Sequence, residues 1–67
     1  MKNRSQQLLN DSALLDVRIR YLVKFIRSRE FNKLPDSEKG LFESQLYSMK
    51  ALSSILKIRV DIVNSEK

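Results

Sequence analysis

The chain has no cysteine, no histidine and no tryptophan, and only one glycine and one proline in 67 residues. Each absence excludes something. Without cysteine there are no disulfides. Without cysteine and histidine there is neither a Cys/His zinc site nor an imidazole to act as base. One glycine and one proline are too little turn punctuation for a β-sandwich or barrel. No apolar run approaches the ~20 residues that a membrane-spanning helix needs. Met1-Lys2-Asn3-Arg4-Ser5 leads into mixed polar positions, so no secretory leader is expected and a cytoplasmic location follows. A chain this short rarely draws more than ~3–5 kcal/mol from its own core. With disulfides and zinc excluded, regular helix packing or self-association has to make up the difference.

What is present is globular in character: 42% hydrophobic and 31% charged residues, unlike a disordered chain. Leu8, Leu15, Ile19, Leu22 and Ile26 recur at helical spacing, with Ser12 in the vacant position of the stripe. They predict helix 1 over about 5–28, with early turns weakened by Gln6, Gln7, Asn10 and Asp11. Asp16 and Arg20 stand four apart in the favoured acid-first order. Phe42, Leu46, Met49, Leu56, Val60 and Val63, with Ser53 among them, predict helix 2 over about 36–62. Between the two, residues 29–35 read as a turn plugged by Phe31 and Leu34. Pro35 disfavours a helical Leu34 and suits the first turn of the next helix. Its cap is either the Leu34 backbone or the Asp36 side chain. Gly40 weakens that first turn by about 1 kcal/mol relative to alanine.

Both helices carry more apolar surface than a hairpin buries. Leu41, Leu52, Ile55 and Ile62 form a second set on helix 2, and Leu14, Val17, Tyr21 and Phe25 an off-axis set on helix 1. Exposed apolar surface of that extent marks an interface. The expected architecture is therefore all-α: a single antiparallel two-helix hairpin with frayed termini, two copies of which form a homodimeric four-helix bundle, or more copies a higher bundle. Leu14, Tyr21, Phe25, Leu41, Leu52, Ile55 and Ile62 are the candidate oligomer interface.

Catalysis finds no support. Asp11 and Asp16, and likewise Glu38 and Glu43, lie five apart and diverge by about 140° around a helix. Neither pair can share a site. The nine serines lack a nucleophile-elbow or S-x-x-K context, and no glycine-rich phosphate loop occurs. No catalytic, metal or cofactor-binding residue is therefore assigned, and no cofactor is expected.

Charge is more informative. Arg18, Arg20, Lys24, Arg27, Arg29 and Lys33 stand against Glu30 alone, so this window equals the +5 net charge of the chain. Arg20, Lys24 and Arg27 follow helical spacing and form a basic ridge, the candidate contact surface. A solvated face that maintains solubility explains them equally simply. The functional reading is attraction to a polyanion, whether nucleic acid, an acidic protein surface or a phosphorylated small molecule. Tyr21, beside the ridge, could stack on a base.

The pattern from Leu15-Asp16-Val17-Arg18-Ile19 through Leu22 to Phe25-Ile26 continues at Phe31-Asn32-Lys33-Leu34-Pro35 and Glu38. It ends with Leu41, Gln45-Leu46, Met49, Leu56 and Arg59-Val60. Over residues 14–60 this resembles the small helical-hairpin early or accessory proteins of tailed bacteriophages and prophages, of the lambdoid type. The Phe-x-x-Leu-Pro turn between two stripes is the distinctive part. Gly40 departs from the pattern, which favours a stronger helix former, and Leu52 stands where an aromatic is common. The resemblance implies a two-helix hairpin, oligomerisation and expression inside a bacterial host, and it brings no catalytic residue. The expected function is that of a non-catalytic phage accessory protein that binds a host or phage macromolecule and modulates its activity. The alternatives are a sponge for anionic nucleotide signals of host defence and a nucleic-acid binder that relies on backbone charge.

Overall fold

A computed structural model describes residues 4–65, and over these the chain is helical throughout apart from two short connections. Helix α1 spans Arg4–Ile26, α2 is a single turn at Arg29–Asn32, and α3 spans Asp36–Ser65. The two long helices pack against each other and α2 closes one end, so the expected hairpin carries a short third helix inside its turn. Frayed termini were expected; residues 1–3 and 66–67 lie outside the described residues. The polar early positions are helical, and Gln6 Nε2 donates to Asn10 Oδ1 at 3.2 Å one turn on.

Ser28 explains why α1 stops at Ile26 and not at 28. Its backbone is extended, with φ −86° and ψ 164°, which breaks the helical path. As the N-cap of α2, its Oγ accepts from the Phe31 amide at 3.3 Å and donates to the Phe25 carbonyl. One serine therefore ends one helix and begins the next. The resulting turn drives Phe31 inward, where it is 5% exposed, while Leu34 is half-buried. Phe25 and Phe42 meet Phe31 there with ring centroids 5.1–6.3 Å apart, all edge-on. Such pairs contribute about 0.5–1.5 kcal/mol each beyond their buried area. At the start of α3 the Pro35 carbonyl accepts from the Glu38 and Lys39 amides, both at 3.0 Å. The capping position is therefore Pro35 itself and neither the Leu34 backbone nor the Asp36 side chain, with Asp36 and Glu38 placed against the positive end of the helix. Helix α3 runs three residues beyond the expected 62.

Away from the turn the core is Leu8, Leu15, Leu56 and Val60, with Ile19, Met49 and Val63 packed against it. The buried serines Ser12 and Ser53 sit in the two stripes, where small side chains let the helices approach closely. Among the described residues no large side chain is below 2% exposure. The molecule is a rod of 50 × 16 × 15 Å, thin enough that each core residue still borders the surface.

Candidate functional site

The regular rise of α1 places Arg20 and Lys24 one turn apart, and Arg27 follows just past its end, with its amide still donating to the Val23 carbonyl at 3.2 Å; all three side chains are exposed. They line a single open cleft of about 590 Å³ together with Ile19, Val23 and Ser28. Ile19 and Val23 are half-buried, so the cleft has an apolar floor and a cationic rim. No carboxylate lines it. Among the described residues none of the three cations takes part in an ion pair; Asp16, the partner expected for Arg20, turns the other way. Its Oδ1 accepts from Ser53 Oγ at 3.0 Å, and Lys57 Nζ lies 3.6 Å from it while donating to Ser53 Oγ at 3.1 Å. The cross-helix hydroxyl offers Asp16 a partly buried partner that Arg20 on its own helix cannot match. Arg20 is left free as a result. Tyr21, 70% exposed, lines a neighbouring depression of about 200 Å³ with Val17, Arg20 and Lys24.

A second basic region lies on another side of the rod. Arg18 borders a cleft of about 310 Å³ with Leu14 and Leu52 over a floor of Leu15 and Leu56. Arg59 and Arg4 border a cleft of about 210 Å³, floored by Leu8 and Leu56. Asp11 and Leu56 belong to both, so the two clefts are contiguous, with an acid between the arginines. Arg18 and Arg59 of one chain do not line a common cleft.

Of the candidate interface residues, Leu14, Tyr21, Leu41, Leu52, Ile55 and Ile62 are exposed. Phe25 is half-buried in the aromatic cluster at the turn. The sequence reading left out Ile58, which is 58% exposed, and with it Leu9 and Tyr47. Ile58 was legible, since it follows Ile55 and precedes Ile62 at helical spacing. Among the described residues no group of three acids could hold a metal ion, and no helix is long and apolar enough to cross a membrane.

A family model described as Sequestin matches residues 2–62. The chain belongs to the Sequestin family. No curated protein and no solved structure matches it. The Sequestin match covers both long helices and the turn, including the ridge and both arginine clefts. The family name suggests a small binding protein, with a sequestering and not a catalytic role. It does not identify a target.

Proposed function

We propose that this Sequestin-family chain is a phage-encoded, non-catalytic sequestering protein of the host cytoplasm that takes up an anionic nucleotide signal of host defence. The observation that carries the reading is the open groove along α1 where Arg20, Lys24 and Arg27 line up beside Ile19 and Val23 with no acid among its lining residues. Cations with an apolar floor suit a ligand with phosphates at one end and a flat ring system at the other. Tyr21 beside Arg20 and Lys24 offers a surface on which a base stacks. A sequestering protein needs only to bind, in keeping with what the family name suggests. The working unit in this reading is a homodimer, two hairpins forming a four-helix bundle and covering the apolar side chains that a single hairpin exposes.

The openness of the same groove favours a second reading, in which the ridge docks on a host or phage macromolecule and modulates its activity. Three cations in a row on a convex helix face suit an acidic protein surface or a nucleic-acid backbone. Isothermal titration with a panel of cyclic and linear nucleotides separates the readings. The sequestering reading expects saturable binding that Arg20→Glu/Lys24→Glu/Arg27→Glu abolishes with helicity unchanged. Absence of nucleotide binding, with a nuclease-sensitive or protein partner retained from lysate, favours the second. Nucleic-acid binding would weaken steeply with salt. Binding that survives the triple reversal at low salt makes the ridge a solvated face.

A further inference from the structure

The outward side of α3 repeats the spacing of its inward side. Leu41, Ser44, Ser48, Ala51, Ile55, Ile58, Ile62 and Ser65 follow one another at alternating intervals of three and four. That is heptad spacing, with four large apolar residues and four small ones, three of them serine. All eight residues are exposed, and none is charged in a chain whose surface is otherwise rich in charge. The large members are 70%, 51%, 58% and 52% exposed at Leu41, Ile55, Ile58 and Ile62. The chain as a whole exposes 5548 Å². A globular monomer of 7.9 kDa is expected to expose about 4,400 Å², so this thin rod exposes about 1,100 Å² more, summed over all its sides. A standard-size interface covers about 800 Å² per partner.

We propose that this seam pairs antiparallel with the same seam of a second copy, so that the two α3 helices form the centre of the dimer. The inference rests on the homodimer reading above but confines its interface to α3, so that the four helices make an open arc and not a closed bundle, and Leu14 and Tyr21 stay outside the seam. Residue size supplies the orientation. The small residues Ser44, Ser48 and Ala51 occupy one half of the seam, and the isoleucines the other. Antiparallel pairing about residue 53 sets Leu41 against Ser65, Ser44 against Ile62, Ser48 against Ile58, and Ala51 against Ile55. Every layer then joins one large and one small side chain, and the helices pack at even spacing with no void. Parallel pairing sets isoleucine on isoleucine at one end and serine on serine at the other, leaving the small half unfilled.

The flanks agree with this arrangement. Arg59 comes to lie beside Gln45 of the second copy, and Asp61 beside its Tyr47, so neither meets a like charge. Leu52 meets its own counterpart near the two-fold axis. At about 100° per residue the inward and outward seams are about 140° apart, so the four helices form a shallow arc. Leu14, Leu52, Arg18 and Arg59 of both copies face its concave side, and the Arg20–Lys24–Arg27 ridge stays accessible on the outer edge.

Because the chain has no cysteine, engineered thiols report the pairing cleanly. Ser44→Cys and Ile62→Cys chains, mixed and oxidised, are expected to give a crosslinked heterodimer in at least about tenfold excess over either homodimer, since a disulfide tolerates Cα separations only up to about 7 Å. A predominant Ser44→Cys homodimer overturns the antiparallel orientation. In sedimentation equilibrium, Ile58→Glu and Ser48→Arg are expected to weaken the dimer by about 100-fold or more, because each buries an unpaired charge. Leu14→Glu, off the seam, is expected to leave it intact. The reverse pattern overturns the placement of the seam while leaving self-association standing. A wild-type chain that remains an 8 kDa monomer at millimolar concentration overturns both. Nucleotide titration of the same variants distinguishes this from failure of the sequestering reading, because the ridge lies outside the seam.

Discussion

The two faces of α3 make the most instructive comparison in the molecule. The inward face, Phe42, Leu46, Met49, Ser53, Leu56, Val60 and Val63, and the outward face, Leu41 to Ile62, share one spacing and both lack charge. One is buried against α1. The other is open, with side chains about half or more exposed. Periodicity therefore states that a helix face requires a partner without stating which one. The difference arises from the other chemistry on the inward face. Ser53 donates to Asp16 across the helices, and Phe42 joins the ring cluster that Ser28 assembles at the turn. The outward face has no such intramolecular anchor, only a sequence of sizes complementary to its own reverse.

The sharpest way to break the comparison is at the turn. Phe31→Ala is expected to cost about 3–5 kcal/mol, enough to unfold a domain of this size, as read by chemical denaturation. A change below about 0.5 kcal/mol would mean that Phe31 is a surface residue. Next, Leu56→Ala on the inward face is expected to cost about 2–5 kcal/mol at any protein concentration. Ile55→Ala on the outward face should matter only where the dimer is populated, so its penalty in melting temperature should shrink on dilution. Equal, concentration-independent losses for both would erase the distinction between the faces.

Two smaller effects sharpen it. Gly40 has nothing within 4 Å of where a Cβ would stand, and its φ is not positive. Gly40→Ala is therefore expected to raise stability by about 0.5–1 kcal/mol, and a destabilised variant would indicate that something closes on that turn. Lys57→Ala removes an ion pair whose side chains are 61% and 42% exposed. Its cost in urea denaturation is expected to be about 0–1 kcal/mol. A larger loss would show that the Asp16–Ser53–Lys57 contact holds the register of the hairpin and does more than decorate it.

Much of this architecture was legible from residues alone. The two stripes, the break at Phe31–Pro35 and the beginning of α3 at Asp36 follow from helical periodicity and from the missing amide of proline. The short helix α2 was not read, although Ser28 three residues before Phe31 is the signal that encodes it. The ridge was legible as a spacing of cations, but not as a cleft, because the apolar floor depends on how deeply Ile19 and Val23 settle against the second helix. Ile58 shares the spacing of Ile55 and Ile62, whereas Leu52 sits to one side of that line and borders the cleft beside Leu14.

What the sequence determined by itself is local: which segments are helical, where positive charge gathers, and that more apolar surface exists than one hairpin can bury. Those properties depend on backbone preferences and on periods of a few residues, which a linear chain states directly. Tertiary structure alone decided which partner each group chose. Asp16 left Arg20, its neighbour in helical sequence, for Ser53, 37 positions away, and so freed that arginine. It also decided that Phe25 closes the turn, while Leu41, Ile55 and Ile62 remain open. The physical reason is that pairing energies depend on burial and distance in space, and neither exists until the two helices have met.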